Sequence, residues 1–85
     1  MADQTIRSRV DKVFELDFEL APDKLHPQAH IFSDLGLDSL DVVDLIVALQ
    51  REFNVQVRDD MRVRQIRTLE DLYVYIETLK KEQQI

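Results

Sequence analysis

Residues that interrupt helices are scarce in this chain. Its 85 residues contain one Gly and two Pro. Because Gly and Pro are the strongest local interruptions of regular structure, their scarcity predicts long helices joined by few turns. The length indicates one domain, residues 1–85, whose hydrophobic core is of modest size.

The first apolar stripe predicts a helix from about Asp3 to Leu20. Its members are Ile6, Val10, Val13, Phe14 and Leu20. Pro22 and Pro27 then end the pattern, because the residue before each proline is pushed out of the α region. The connection that follows, residues 21–37, carries apolar residues that we expect to anchor it on the bundle: Leu25, Ile31, Phe32 and Leu35.

A second helix is predicted to begin at Asp38 and Ser39 and to stop at Asn54. Gly36 suits a turn that needs positive φ, and Asp38 is a good N-cap with Asp41 as a shortened capping-box partner. Its apolar face is expected to comprise Leu40, Val43, Ile46, Val47 and Phe53. The other face is expected to comprise Asp41, Asp44 and Arg51.

Two further helices complete the prediction. Asp59 and Asp60 are suited to cap a short third helix that reaches about Arg64. Thr68 is predicted to cap the last helix, which has acidic residues in its first turn. Its apolar stripe is Leu69, Leu72, Ile76 and Leu79. We therefore expect an all-α protein, a four-helix bundle with three longer helices and one short third helix.

Acidic residues outnumber basic ones, which gives a formal net charge of −6 and a pI of about 4.7. Such a field repels nucleic-acid phosphates and attracts proteins with basic docking patches. We therefore expect protein partners and no nucleic acid. Residues 58–67 depart from this pattern, with four Arg against two Asp.

Several kinds of site find no support in the sequence. There is no cysteine, and Pro27 separates His26 from His30, so we expect neither a disulfide nor a metal site. No Gly-Xaa-Ser-Xaa-Gly elbow surrounds Ser39, and we expect no enzyme activity. The N-terminal residues lack a signal-peptide pattern, and the apolar run 45–49 is too short to span a bilayer. We therefore expect a cytoplasmic monomer with no membrane insertion.

The most informative segment is Asp-Leu-Gly-Leu-Asp-Ser-Leu-Asp, residues 34–41. On local physics alone it predicts a turn followed by a well-capped helix. Ser39 would then lie exposed in the first turn, where a phosphate attached to it faces free backbone N–H groups and the positive end of the helix dipole. The position therefore favours a phosphodiester.

With this segment, the chain resembles the acyl carrier proteins over nearly its whole length. The shared features are residues 34–41, the helix 42–53, the closing segment 66–76, the length and the acidity. The resemblance implies that Ser39 receives 4′-phosphopantetheine from coenzyme A through a separate phosphopantetheinyl transferase. The thiol of that arm would carry acyl groups as thioesters. Asp38 and Leu40, on either side of Ser39, are assigned to the same attachment site.

The same resemblance implies docking residues and an acyl pocket. Synthases, acyltransferases and acyl-loading enzymes would bind through basic patches to the acidic face of the second helix, with Asp41 and Asp44 as candidates. Arg51 and Arg62 are further candidates for partner docking. The apolar interior would open to shelter the acyl chain, with candidates Val43, Ile46, Val47, Ala48, Val57 and Ile66. Without the resemblance, the acidic residues indicate a solvated helix face and the apolar residues a core.

The chain departs from the family pattern where Gln50 and Arg51 stand in place of acids, and in the Arg-rich residues 58–67. These departures favour a specialised carrier, serving a pathway related to fatty acid biosynthesis, such as specialised lipid or polyketide synthesis. Two alternatives stay open: an unmodified interaction module, and a peptidyl or aminoacyl carrier. The intact segment 36–40 favours a modified carrier, because pure binding has no need of that serine.

Overall fold

A computed structural model of the chain describes residues 4–57, 63 and 65–83. These residues form three α-helices, α1 (Gln4–Asp17), α2 (Ser39–Phe53) and α3 (Leu69–Gln83), and no β-strand. A 3₁₀ turn, Pro22–Lys24, lies between α1 and α2. The predicted all-α class is confirmed. The predicted short third helix lies largely outside the described residues, as does Arg62.

The end of α1 differs from the prediction. The helix ends at Asp17 instead of near Leu20. Glu19 has a φ of 56°, in the left-handed region, and the chain turns there although no Gly marks the position. The predicted stripe is otherwise correct, because Ile6, Val10, Val13 and Phe14 are buried.

Both ends of α2 are confirmed. The Asp38 carboxylate accepts a hydrogen bond from the Asp41 N–H at 2.9 Å, and the Asp38 N–H donates to the Asp41 carboxylate at 3.1 Å. This pair is a complete capping box. Asn54 ends the helix in the left-handed conformation, with φ 54° and ψ 46°. Gly36 has a φ of 74°, as the predicted turn requires.

The buried face of α2 only partly matches the predicted one, which included Phe53 but neither Leu45 nor Leu49. Leu45, Leu49 and Phe53 form the buried face, four residues apart along one side of the helix. Val43 and Val47, which the prediction placed inside, are 58% and 43% exposed. Leu40 is also exposed. Because α2 carries apolar residues on two sides, the hydrophobic pattern alone did not select the correct one.

The start of α3 is fixed by reciprocal hydrogen bonds, as predicted for Thr68. Its hydroxyl accepts from the Asp71 N–H at 3.3 Å. The Asp71 carboxylate accepts from the N–H groups of Arg67 and Thr68, at 3.0 and 3.2 Å. Burial acts to raise the pKa of Asp71, but these hydrogen bonds outweigh it, and the pKa is lowered.

The connection between α1 and α2 packs against the start of α3. The N–H groups of Leu69 and Glu70 donate to the carbonyls of Ala29 and Pro27, at 3.0 and 2.9 Å. These bonds satisfy helix-terminal donors that have no partner within α3. The predicted anchors Leu25, Ile31 and Leu35 are buried. Phe32 is not, because 44% of it remains exposed.

Helix α1 runs antiparallel to α2. The Arg9 side chain donates to the Glu52 carboxylate, near the end of α2, at 2.7 Å. Residues 12–18 line a groove together with residues 44–52. If the helices were parallel, residues 12–18 would lie beyond Phe53, the last residue of α2, because Arg9 already contacts Glu52. The antiparallel arrangement accounts for both the Arg9–Glu52 contact and the shared groove.

One polar contact joins α1 to α3 across the core. Tyr73 is fully buried, and its hydroxyl donates a hydrogen bond to the Asp11 carboxylate. Burial raises the pKa of Asp11, against the lowering effect of this hydrogen bond. Burial and the same bond also raise the pKa of Tyr73. Tyr73 lies outside the predicted stripe of α3, so the sequence pattern did not indicate its burial.

Candidate functional site

Ser39 is the first residue of α2 and follows directly after the N-cap, Asp38. Asp38 has an extended backbone, with φ −111° and ψ −174°, and this conformation sets where the helical turn begins. Ser39 is exposed, and its neighbour Leu40 is 76% exposed. Ser39 is therefore accessible from solvent.

The backbone around Ser39 favours a phosphate. The capping box uses the N–H groups of Asp38 and Asp41, and the Val42 N–H donates to the Asp38 carbonyl at 3.0 Å. Within the described part of the chain, the N–H groups of Ser39 and Leu40 have no acceptor. These two donors, with a helix dipole equivalent to about half a positive charge, suit a phosphate ester on Ser39.

The predicted docking residues occupy different environments. Asp41 is half-buried, and its carboxylate is engaged in the capping box. Asp44 and Arg51 are exposed, and their separation of nearly two helical turns puts them on the same side of α2. Arg62 lies outside the described residues. The structure therefore brings Asp44 and Arg51 together on one surface, with opposite charges.

An apolar cavity of about 70 Å³ lies under α2. Three of the predicted pocket residues line it: Ile46, Val57 and Ile66. The prediction missed other lining residues from α2, α3 and the connection, including Ile31, Phe32, Leu45, Leu72 and Tyr75. The apolar pattern of these residues indicated a core and gave no sign of an internal space.

Three of the residues predicted for the pocket do not line this cavity. Val47 and Ala48 line the groove between α1 and α2, and Val43 is exposed. The reason is the helical period, because the cavity is lined by positions 42, 45, 46 and 49 of α2. Val43 and Val47 lie on the far side of the helix from those positions.

His30 has a structural role in the connection. Its Nδ1 accepts hydrogen bonds from the N–H groups of Phe32 and Ser33, both at 3.3 Å. Among the described residues, no group of three or more His, Cys, Asp or Glu side chains could hold a metal ion. None of the helices in that part of the chain has the length and apolarity needed to cross a membrane.

Two comparisons with known sequences identify the family of this chain. A protein family described as "Phosphopantetheine attachment site" matches residues 5–76. The chain is also 38% identical, over 72 residues, to the acyl carrier protein of Zymomonas mobilis subsp. mobilis, an alignment that covers 85% of this chain and 91% of that relative. The chain belongs to the acyl carrier protein family, whose cofactor is covalently attached 4′-phosphopantetheine.

Proposed function

We propose that this chain carries acyl intermediates as thioesters on a 4′-phosphopantetheine arm attached to Ser39. The observation that carries the proposal is the position of Ser39, exposed at the start of a capped helix beside two free N–H donors. The other serines have no such setting. Ser8 lies within α1, and Ser33 lies in a turn of the connection.

The chain's own residues hold and present the group. When bound, phosphopantetheine supplies a thiol, which this sequence lacks. The Ser39 oxygen would form the phosphodiester, and the Asp38–Asp41 capping box would keep the first turn of α2 in place. Leu40 would offer an apolar contact to the transferase that installs the group. No side chain of the protein is assigned a catalytic role.

Acyl carrier proteins interact with phosphopantetheinyl transferases, synthases and other transferases. For this chain we propose that such enzymes bind the surface next to Ser39, through apolar contacts with Leu40 and Val43 and basic residues facing Asp41 and Asp44. The exposure of Leu40 and Val43 supports the proposal, because both are apolar and neither is needed in the core.

We propose that the apolar cavity shelters the acyl chain, with Ile46, Val57 and Ile66 among its walls. At about 70 Å³ it is roughly half the size of an engineered cavity of about 150 Å³ that binds benzene. A longer acyl chain would therefore enter only if the walls separate. Phe32 lines the cavity and is partly exposed, and we propose that the acyl chain would enter beside it.

The intact mass of the apo protein, measured after incubation with coenzyme A and a broad-specificity phosphopantetheinyl transferase, tests the proposal. The wild type and a Ser33→Ala variant should each gain one phosphopantetheine, and Ser39→Ala should gain none. A gain by Ser39→Ala would contradict the assignment. No gain by folded wild type, tried also with a transferase from the source organism, would favour an unmodified interaction module.

We propose that the pathway is a specialised one, because Gln50 and Arg51 replace the acids usual at the end of this helix. We propose a dedicated lipid or polyketide pathway related to fatty acid biosynthesis, instead of general fatty-acid synthesis. Normal elongation by a housekeeping fatty-acid synthase reconstituted with this protein would contradict specialisation. Loading with an amino acid by an adenylating enzyme would favour the peptidyl or aminoacyl carrier instead.

A further inference from the structure

A groove lies between α1 and α2, on the side of α2 away from the acyl cavity. Its exposed apolar residues are Leu16 of α1, which is 72% exposed, and Val47 of α2, which is 43% exposed. These two residues are called the apolar floor. Single exposed apolar residues are ordinary on protein surfaces, but here two helices contribute to one continuous groove, which is typical of an interaction site.

The two ends of the groove carry opposite charges. Asp44 and Arg51 both line it, and they are separated by about 10 Å along the axis of α2. Because α1 is antiparallel, Asp17 lies toward Asp44 and Lys12 lies toward Arg51. We call Asp17 and Asp44 the acidic end, and Lys12 and Arg51 the basic end. Within the described residues none of the four forms an ion pair.

Glu52 also lines the groove, but it does not cancel the basic end. Its carboxylate is held by the Arg9 guanidinium, with 2.7 Å between Arg9 Nε and the nearer oxygen. The same guanidinium lies over the Phe53 ring, 4.5 Å from its centroid. Glu52 is therefore paired within the chain, and the basic end is left to face a negative charge from outside.

We propose that this groove docks a helix of a partner protein, with an apolar side chain on the floor, a carboxylate at the basic end and a cation at the acidic end. The two charges on the partner helix would be about two turns apart, matching the spacing of Asp44 and Arg51. Net acidity alone would favour a uniformly basic partner, but such a helix would place like charge against Lys12 and Arg51.

The partner is an enzyme that acts on the group carried at Ser39, and in this respect the inference rests on the proposed function. The acidic end is the nearer one, since Asp44 is about 8 Å from Ser39 along α2 and Arg51 is about 18 Å. The cationic end of the partner helix therefore faces the attachment site. Binding to the groove itself needs no modification of Ser39, so it is measurable on the apo chain.

Three synthetic amphipathic peptides with the same apolar residues test the groove directly: one with a Glu and a Lys two turns apart, one all-basic and one all-acidic. Each is titrated into ¹⁵N-labelled apo protein while the backbone amide shifts are followed. We expect the mixed peptide to shift the amides of the apolar floor and to bind roughly fivefold more tightly than either of the others.

Two substitutions sharpen the test. Leu16→Glu should abolish the shifts, whereas Val74→Glu, at an apolar residue of α3 that is 44% exposed and outside the groove, should leave them unchanged. Arg51→Glu replaces one of the two cations of the basic end by an anion and should make the all-basic peptide the tightest binder. A general loss of folding would not reverse the preference for one peptide over another. The dispersion of the amide spectrum shows whether each variant is folded, and Val74→Glu is the control outside the groove.

The proposal is overturned if the all-basic peptide binds the wild type as tightly as the mixed one, or if the shifts lie outside the groove. Concentration-dependent shifts of the floor amides without peptide would assign the groove to a second copy of the chain, and would also overturn it. Phosphopantetheine loading is read separately by mass. A wild type that binds the mixed peptide but is never loaded would refute the proposed function and leave the groove assignment standing.

Discussion

Replacing Asp38 with Ala tests how the start of α2, where the proposed attachment residue Ser39 lies, is stabilised. The Asp38 carboxylate accepts the Asp41 N–H at 2.9 Å, and an alanine leaves that donor without its cap. Losing an N-cap side chain costs about 1 kcal/mol, and losing a carboxylate at the positive end of the helix dipole costs about 0.3–1 kcal/mol more. We therefore expect Asp38→Ala to lower the free energy of unfolding by roughly 1–2 kcal/mol.

Asp38→Asn is the matched control, because its side-chain oxygen still accepts the Asp41 N–H while the charge is removed. It should lose only the helix-dipole contribution, about 0.3–1 kcal/mol. Urea denaturation of the apo proteins, followed by far-UV circular dichroism, measures both variants. An Asp38→Ala midpoint equal to that of the wild type would refute the capping argument. If the transferase reads the charge of Asp38, the Asn variant should fold normally and load slowly.

Four further substitutions give distinct expectations. Gly36→Ala should lower the free energy of unfolding by about 1–2 kcal/mol, since the φ of 74° is unfavourable for Ala although its Cβ would meet no atom within 4 Å; an unchanged melting temperature would contradict this. Tyr73→Phe leaves Asp11 without its hydroxyl donor and should lower the free energy of unfolding by about 1–3 kcal/mol, as measured by urea denaturation. A variant as stable as the wild type would contradict a stabilising role for this hydrogen bond. The lowered pKa of Asp71 stabilises the fold above its ordinary pKa of 3.8, and this contribution is lost as the pH falls further, so Asp71→Asn should flatten the acid limb of the stability curve. The raised pKa of Asp11 acts oppositely, because its contribution is present at low pH and is lost as the pH rises above 3.8 through the folded pKa. Asp11→Asn should therefore make the acid limb of the stability curve steeper. Acid limbs of equal slope for the two variants would contradict both assignments.

Helix ends were the most predictable part of the fold, because they depend on local chemistry. Asp38 and Thr68 each accept an N–H three residues ahead, and Asn54 and Gly36 adopt the positive φ that their residue types tolerate. The exception is Glu19, which takes positive φ at the end of α1 without a side chain that favours it. Nothing in the local sequence marks that turn.

The orientation of α2 was not predictable from its sequence. The helix has apolar residues on two sides, Leu45 and Leu49 on one and Val43 and Val47 on the other. Only packing against the rest of the chain decides which side is buried. Of the residues predicted for an acyl pocket, Ile46 therefore lines the cavity, whereas Val43 and Val47 do not.

The groove between α1 and α2 required the tertiary structure. Leu16 is outside the helical stripe of α1, and its proximity to Val47 follows only from the antiparallel arrangement. The start of α2 at Ser39, by contrast, followed from Asp38 and Gly36 alone. Sequence reasoning thus located the helix turn that begins at Ser39, the proposed attachment residue, but not the surfaces around it.

Site localisation by tandem mass spectrometry tests the central claim most directly. Trypsin releases residues 25–51 as one peptide, because no Lys or Arg lies between Lys24 and Arg51, and this peptide contains both Ser33 and Ser39. After loading, fragments that include Ser33 but end before Ser39 should be unmodified, and fragments that contain Ser39 should carry the phosphopantetheine. Modification on fragments that contain Ser33 and exclude Ser39 would contradict the account.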